Sequence, residues 1–118
     1  MSQPWYVVGV DNGGTKNAAT VLDPDGNFLV DHMIETPSRV LEGPTVAVEA
    51  LAESFLSILE TTGIDISKIK AVGLDTPGPA SAEGVISSKG STNFSTPEWF
   101  SFDIRSALEK RIGLPVVY

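Results

Sequence analysis

The strongest constraint on the fold lies near the amino terminus, where two apolar runs flank a tight turn. The segment reads Val7-Val-Gly-Val-Asp-Asn-Gly-Gly-Thr-Lys-Asn-Ala-Ala-Thr-Val-Leu22. Gly13 and Gly14 can take φ > 0 and carry no Cβ, so the backbone can bend sharply there and bring its N–H groups up to an anion. The pattern predicts a β-hairpin whose turn holds phosphate. A plain Gly-Gly hairpin turn, common between alternating strands, explains the same residues without a ligand.

The side chains around this turn have the chemistry that a metal-bound phosphate requires. Asp11 ends the first predicted strand and is suited to hold Mg²⁺ through water, because Mg²⁺ usually keeps several waters and takes one or two protein carboxylates. Thr15 and Lys16 add a hydroxyl and a cation beside it. The spacing is not that of a Walker A loop, and the sequence contains no Gly-x-Gly-x-x-Gly.

Composition and charge limit the classes of partner. The chain has 118 residues, of which 42% are hydrophobic and 19% charged, and this favours one folded domain. Its formal net charge of −7 argues against a general binder of nucleic acid or of an anionic membrane. The absence of cysteine removes disulfides and thiolate sites. The sequence has no signal-peptide or membrane-spanning pattern, so we expect a cytoplasmic protein.

Periodicity and turn residues predict three antiparallel strands followed by alternating helices and strands. The predicted strands and helices are, in chain order, strands at Trp5–Val10, Asn17–Leu22 and Asn27–Ile34, a helix at 44–62, a strand at Lys70–Asp75, a helix at 104–112 and a strand from Leu114. A long loop is predicted from Thr76 to about Phe100. This order is typical of an α/β fold, one ribonuclease-H-like half of an actin-type ATPase. Such a half has a mixed five-stranded sheet in the order 3-2-1-4-5, with right-handed crossovers and helices packed on it.

Two motifs resemble those of the ROK sugar kinases, the bacterial glucokinase-like branch of the actin and hexokinase superfamily. Asp11-Asn-Gly-Gly-Thr-Lys16 is similar to the first phosphate motif of that family, and Gly73-Leu-Asp-Thr-Pro-Gly-Pro79 to its Gly-x-x-x-Pro-Gly-Pro. The similarity continues in order through Glu83-Gly-Val-Ile86, Ser91-Thr-Asn-Phe94, Trp99 and Gly113-Leu-Pro-Val-Val117. It therefore covers most of the chain, and a chance match of that kind is much rarer than a match to one Gly-Gly turn.

The resemblance implies ATP-dependent phosphorylation of a hexose, with glucose first, and ATP and Mg²⁺ as cofactors. It implies that Asp11 orients the metal. The residues it implies for phosphate binding are Gly13, Gly14, Thr15 and Lys16, and those for sugar binding are Gly78, Pro79 and Asn93. Without the family, Pro-Gly-Pro is a chain reversal and Asn93 an ordinary turn residue. Trp99 walls the sugar or, as we expect, anchors the loop.

The resemblance also implies that residues 1–118 form the amino-terminal ATPase-like lobe of a longer kinase. The catalytic base, an aspartate of an Asn-Asp pair, is expected just after Tyr118, so no catalytic residue is expected within the chain. Zinc is expected only in a missing carboxy-terminal part. The full-length protein is expected to bind hexose and nucleotide as a homo-oligomer, without nucleic acid or membrane.

Two other functions remain open. One is a noncatalytic module that binds sugar or nucleotide, and the other is a ROK-type transcriptional regulator that lacks its DNA-binding domain. Only Met1–Tyr6 precede the phosphate motif, which argues against the regulator. Asn12 and Asp75 are more polar than the family pattern, so the sugar can differ from glucose, and the donor can be ATP or polyphosphate. Asp75 itself either lines the cleft or caps a loop.

Overall fold

A five-stranded mixed sheet forms the centre of the computed structural model, which describes residues 4–118. Its strands are β1 (Tyr6–Asn12), β2 (Lys16–Leu22), β3 (Ile34–Pro37), β4 (Ile69–Asp75) and β5 (Val116–Val117). They lie in the order β3-β2-β1-β4-β5, so the predicted order is confirmed. β2 is antiparallel to β1 and β3, whereas β4 is parallel to both β1 and β5. The carboxyl ends of β1, β4 and β5 therefore meet at one edge of the sheet.

Two helices pack against the sheet and against each other, at the predicted positions. Helix α1 (Pro44–Thr62) begins with a proline, whose fixed φ suits a first turn, and ends at Gly63 with a φ of 73°. Helix α2 (Ile104–Ile112) follows Asp103, whose carboxylate accepts a hydrogen bond from the Ser106 N–H. The contact between α1 and α2 places both helices over the same face of the sheet.

The hydrophobic core lies between that face of the sheet and the two helices. Alternate residues of the central strands point into it, and one side of α1 faces them. Its larger members include Val8, Val10, Leu51, Phe55, Ile58, Val72, Leu74, Ile104 and Leu108. The long loop after β4 joins this core through Trp99, which is fully buried and packs against the tilted ring of Phe94 with 4.4 Å between ring centroids. The expectation that Trp99 anchors the loop agrees with this packing.

The third strand does not lie where the sequence predicted it. We expected Asn27–Ile34, but β3 is Ile34–Pro37, and within the predicted range only Phe28 forms an isolated bridge to β2. The Asp23 carboxylate accepts hydrogen bonds from the N–H groups of Asp25 and Asn27, each 2.9 Å long. The residues that follow this turn do not form a continuous ladder with β2 until Ile34. Phe28 is 66% exposed, so a strand there would bury little apolar surface. Pairing resumes where Ile34 packs on the core.

Other boundaries differ from the predictions by one or two residues. β1 continues through Asn12, and β5 is limited to Val116–Val117 rather than extending from Leu114. Residues 1–3, part of the segment before the phosphate motif, lie outside the described residues. Among residues 4–118, no helix has both the length and the apolar character needed to cross a bilayer.

Candidate functional site

The Gly-Gly turn closes the hairpin between β1 and β2. The Gly13 N–H donates a hydrogen bond to the Lys16 carbonyl oxygen at 2.9 Å, and a Cβ on Gly13 would lie 2.6 Å from that same oxygen. Only a residue without a side chain therefore allows the turn to close in this way. Thr15 and Lys16 are exposed on its rim, as expected for groups that meet an anion.

Lys16 has one carboxylate nearby but remains accessible. Its Nζ lies 3.9 Å from Glu35 Oε1, and each side chain is more than half exposed. An ion pair in that setting contributes little, because solvent screens it and ordering two long side chains costs entropy. An anion at the turn can therefore compete for the Lys16 ammonium group.

A pair of buried amides lies at the base of the turn. Asn12 and Asn17 are cross-strand neighbours on β1 and β2, and Asn12 Nδ2 donates to Asn17 Oδ1 at 2.7 Å. Both residues are at most 1% exposed. Asn12, more polar than the resemblance led us to expect beside Asp11, thus links the two strands where the turn begins. Within residues 4–118, the buried atoms Asn12 Oδ1 and Asn17 Nδ2 have no hydrogen-bond partner.

A carboxylate pair lies at the sheet edge, and sequence reasoning missed the pairing. Asp11 and Asp75 are in register on the parallel strands β1 and β4. Burial, a hydrogen bond shared with Asp11 and the charge of Asp11 raise the pKa of Asp75 to about 6. Both residues line a cavity of about 360 Å³ together with Tyr118. The available signal was that both aspartates end apolar strands predicted to be parallel, but the register between distant strands is not readable from sequence.

The two carboxylates at this edge suit Mg²⁺ if water and phosphate oxygens supply its other ligands. No cluster of three or more histidine, cysteine, aspartate or glutamate side chains able to hold a metal lies within residues 4–118. Two carboxylates near the end of the strand that leads into the Gly-Gly turn suit a cation that takes few protein ligands and completes its shell with water and phosphate oxygens. Asp11 and Asp75 are the residues that would hold it.

The long loop brings Asn93 against the Gly-Gly turn. The position that a Cβ on Gly14 would occupy is 2.6 Å from Asn93 Oδ1 and 3.2 Å from its Cγ. Ser91 and Phe94 close the turn around Asn93 through the Ser91 N–H, which donates to the Phe94 carbonyl at 3.1 Å. Trp99 holds this loop in place, because its Nε1 donates a hydrogen bond to the Val40 carbonyl oxygen at 2.9 Å. The predicted phosphate and sugar residues therefore meet at Gly14 and Asn93.

The Pro-Gly-Pro segment forms a separate turn at the start of the same loop. Gly78 has a φ of 65°, and the Pro79 carbonyl accepts a hydrogen bond from the Ser87 N–H at 3.0 Å. Neither Gly78 nor Pro79 lines the cavity that Asp11 and Asp75 line. The sugar role of these two residues therefore remains a prediction from the resemblance.

The end of β5 is tied to the end of β4. The hydroxyl groups of Tyr118 and Thr76 lie 2.6 Å apart, and Tyr118 lines the same cavity as the carboxylate pair. This contact joins the residue after β5 to the residue after β4, next to the carboxyl end of β1.

Comparisons with known proteins extend over nearly all of the chain. The sequence pattern described as "ROK family" matches residues 7–118. A glucokinase of Streptomyces coelicolor is 34% identical over 112 residues, which are 93% of this chain and 31% of the glucokinase.

Two solved structures superpose closely. The ROK hexokinase from Thermus thermophilus gives a TM-score of 0.75 at 36% identity, covering 95% of this chain and 34% of that one. A ROK family glucokinase from Streptomyces griseus, solved in complex with glucose and AMPPNP, gives 0.71 at 28% identity over 95% and 32% of the two chains. These superpositions confirm the predicted fold class. The chain spans about a third of the length of each of these three relatives.

Proposed function

This chain belongs to the ROK family, and we propose that it is the amino-terminal lobe of a kinase that phosphorylates a hexose with ATP, glucose being the first substrate to test. The observation that carries this proposal is the contact between Gly14 and Asn93, because a backbone turn suited to phosphate lies against an amide suited to a hydroxyl. Further support comes from the relatives, which include glucokinases and a hexokinase, one of them bound to glucose and AMPPNP.

The phosphate half of the proposed site consists of backbone and charge. Phosphoryl transfer depends on positioning and on neutralising negative charge more than on covalent chemistry. The N–H groups of the turn at 14–15 and the Lys16 ammonium group would hold the transferring phosphates, while Gly13, whose N–H closes the turn, shapes it. Asp11, beside Asp75, would orient Mg²⁺, and the bound cation supplies charge stabilisation at the phosphate oxygens.

The sugar half rests on Asn93, with Gly78 and Pro79 assigned from the resemblance. An amide both donates and accepts hydrogen bonds, so it matches a sugar hydroxyl that does the same. Because Asn93 lies beside Gly14, a hydroxyl bound to its amide would be close to a phosphate held by the turn. That proximity is the geometric requirement for direct transfer.

We assign the base that accepts the hydroxyl proton to the segment immediately after Tyr118, outside this chain. The Tyr118 hydroxyl lies 2.6 Å from that of Thr76, and this contact positions the residue after β5 beside the carboxylate pair. A base projecting from the next residues would enter the same cleft. The isolated chain should therefore bind ligands weakly and turn over nothing measurable.

The test is a kinase assay on the full-length protein with glucose, ATP and Mg²⁺. Replacing Asp11 by alanine should lower kcat by roughly 100-fold or more, since several kcal/mol of charge stabilisation would be lost. Asp25→Ala, in the exposed turn between β2 and β3, is the matched control and should leave turnover unchanged. A wild-type protein that phosphorylates no hexose would refute the proposed kinase activity. An Asp11→Ala variant that retains turnover would refute the metal-binding role of Asp11.

A further inference from the structure

The two glycines of the turn exclude a side chain for different reasons. A Cβ on Gly13 would collide with the Lys16 carbonyl oxygen, which is part of the turn itself. A Cβ on Gly14 would instead collide with Asn93 Oδ1, the end of a side chain from a distant loop. Gly14 does not have a positive φ, so its backbone would accept an L-residue without strain. What requires glycine at position 14 is the Asn93 amide.

Asn93 is held from its own side as well. The Phe94 ring next to it is fully buried and packs at a tilt against Trp99, and the Ser91–Phe94 turn encloses Asn93. A Cβ on Gly90 would lie 2.5 Å from the Phe94 carbonyl oxygen, which shows how closely this loop is packed. The loop backbone therefore has little room to withdraw, and a side chain at position 14 would push the Asn93 amide into another rotamer.

We propose that Gly14 is a positioning residue for the hexose, acting through Asn93, although it belongs to the phosphate turn. Because Gly14 has no side chain, the Asn93 amide can pack directly against the backbone of the turn. The conformation of the turn therefore sets the position of the Asn93 amide, and with it the position of the sugar hydroxyl that the amide binds. The inference rests on the proposed function. It predicts that the residue at position 14 controls recognition of the sugar more strongly than recognition of the nucleotide.

The test is a double-mutant cycle in the full-length protein, with the KM values for glucose and for ATP measured separately. Gly14→Ala should raise the glucose KM by roughly tenfold, the equivalent of one misplaced hydrogen bond, and change the ATP KM much less. Asn93→Ala should do the same. The double variant should be no worse than Asn93→Ala alone, because the amide oxygen that the added methyl group would strike is gone.

Gly13→Ala is the matched control, since its collision is with backbone. It should impair ATP binding or folding equally whether residue 93 is asparagine or alanine.

The inference would be overturned if the increases in glucose KM caused by Gly14→Ala and Asn93→Ala multiplied in the double variant, or if Gly14→Ala changed only the ATP KM. Either result would leave the wild-type protein an active kinase. If Gly14→Ala fails to fold, the double variant should fold; its failure would also count against the role of Asn93. An inactive wild type would refute the proposed function itself.

Discussion

Asp75 carries a carboxyl group whose affinity for a proton is set by burial and by its neighbour. Burial, the hydrogen bond shared with Asp11 and the Asp11 charge raise the pKa of Asp75 from 3.8 to about 6. A carboxyl group whose pKa is higher in the folded chain binds its proton more tightly there. Its contribution to stability is therefore fully present below about pH 4 and is lost as the pH rises through about 6.

We therefore expect the free energy of unfolding, measured with urea and without divalent cations, to fall between about pH 4 and pH 6. Asp75→Asn should flatten this part of the profile, because an amide of similar shape does not titrate. The Asp25→Asn variant, in an exposed turn, should keep the wild-type slope. If the slope survives in Asp75→Asn, another carboxyl group is responsible.

At the scale of the strands and helices, the sequence predicted most of the fold because the signals are local. Helix α1 shows helical periodicity between Pro44 and Gly63, and β1 and β4 are short apolar runs. The third strand was misplaced because the run at 27–34 is apolar yet mostly exposed, and hydrophobicity alone does not reveal which face a core will cover.

The parts of the site that local signals could not predict are the contacts between distant segments. The Asp11–Asp75 pair depends on the register of two strands, and the Gly14–Asn93 contact depends on how the long loop folds back. Both follow from packing of the whole sheet and loop rather than from a spacing in the chain. The resemblance to a family suggested the individual candidate residues, whose roles stay predictions, without indicating which of them touch.

Helix α2 holds β5 through side chains rather than through a long ladder. β5 contains only two residues, and Glu109 Oε1 accepts a hydrogen bond from the Val116 N–H at 2.9 Å. Arg105 Nη1 donates to the Val116 carbonyl at 3.2 Å and to Glu109 at 3.1 Å. Both backbone groups of a buried residue therefore rely on α2.

Glu109→Ala should lower the free energy of unfolding by about 1–3 kcal/mol, because it leaves the buried Val116 N–H without its acceptor. Glu109→Gln retains an acceptor oxygen and should cost less, and Lys110→Ala, exposed on the same helix, should be nearly neutral. Denaturant titration of the three variants distinguishes a backbone contact from a charge effect. Equal losses in the alanine and glutamine variants would indicate that the charge matters instead.

At the scale of the whole molecule, the candidate groups meet where three parallel strands end. Asp11 lies near the end of β1, Asp75 ends β4 and Tyr118 follows β5, and these three residues line one cavity. The hairpin turn after β1 lies at the same edge and contacts Asn93. Open α/β sheets bind ligands at such an edge. The helices and the sheet face they cover form the core, so the chemistry is separated from the packing that supports it.

We expect ligands to stabilise the full-length protein much more than the isolated chain. Because the chain spans about a third of the matched relatives, the groups that would enclose the other side of the ligands are proposed to lie beyond it. Glucose with Mg²⁺ and AMPPNP should raise the unfolding temperature of the full-length protein and barely shift that of residues 1–118, since stabilisation grows with ligand concentration relative to Kd. Phosphorylation of glucose by the isolated chain would show that the proton acceptor lies within it, and Asp75 would then be the first residue to replace.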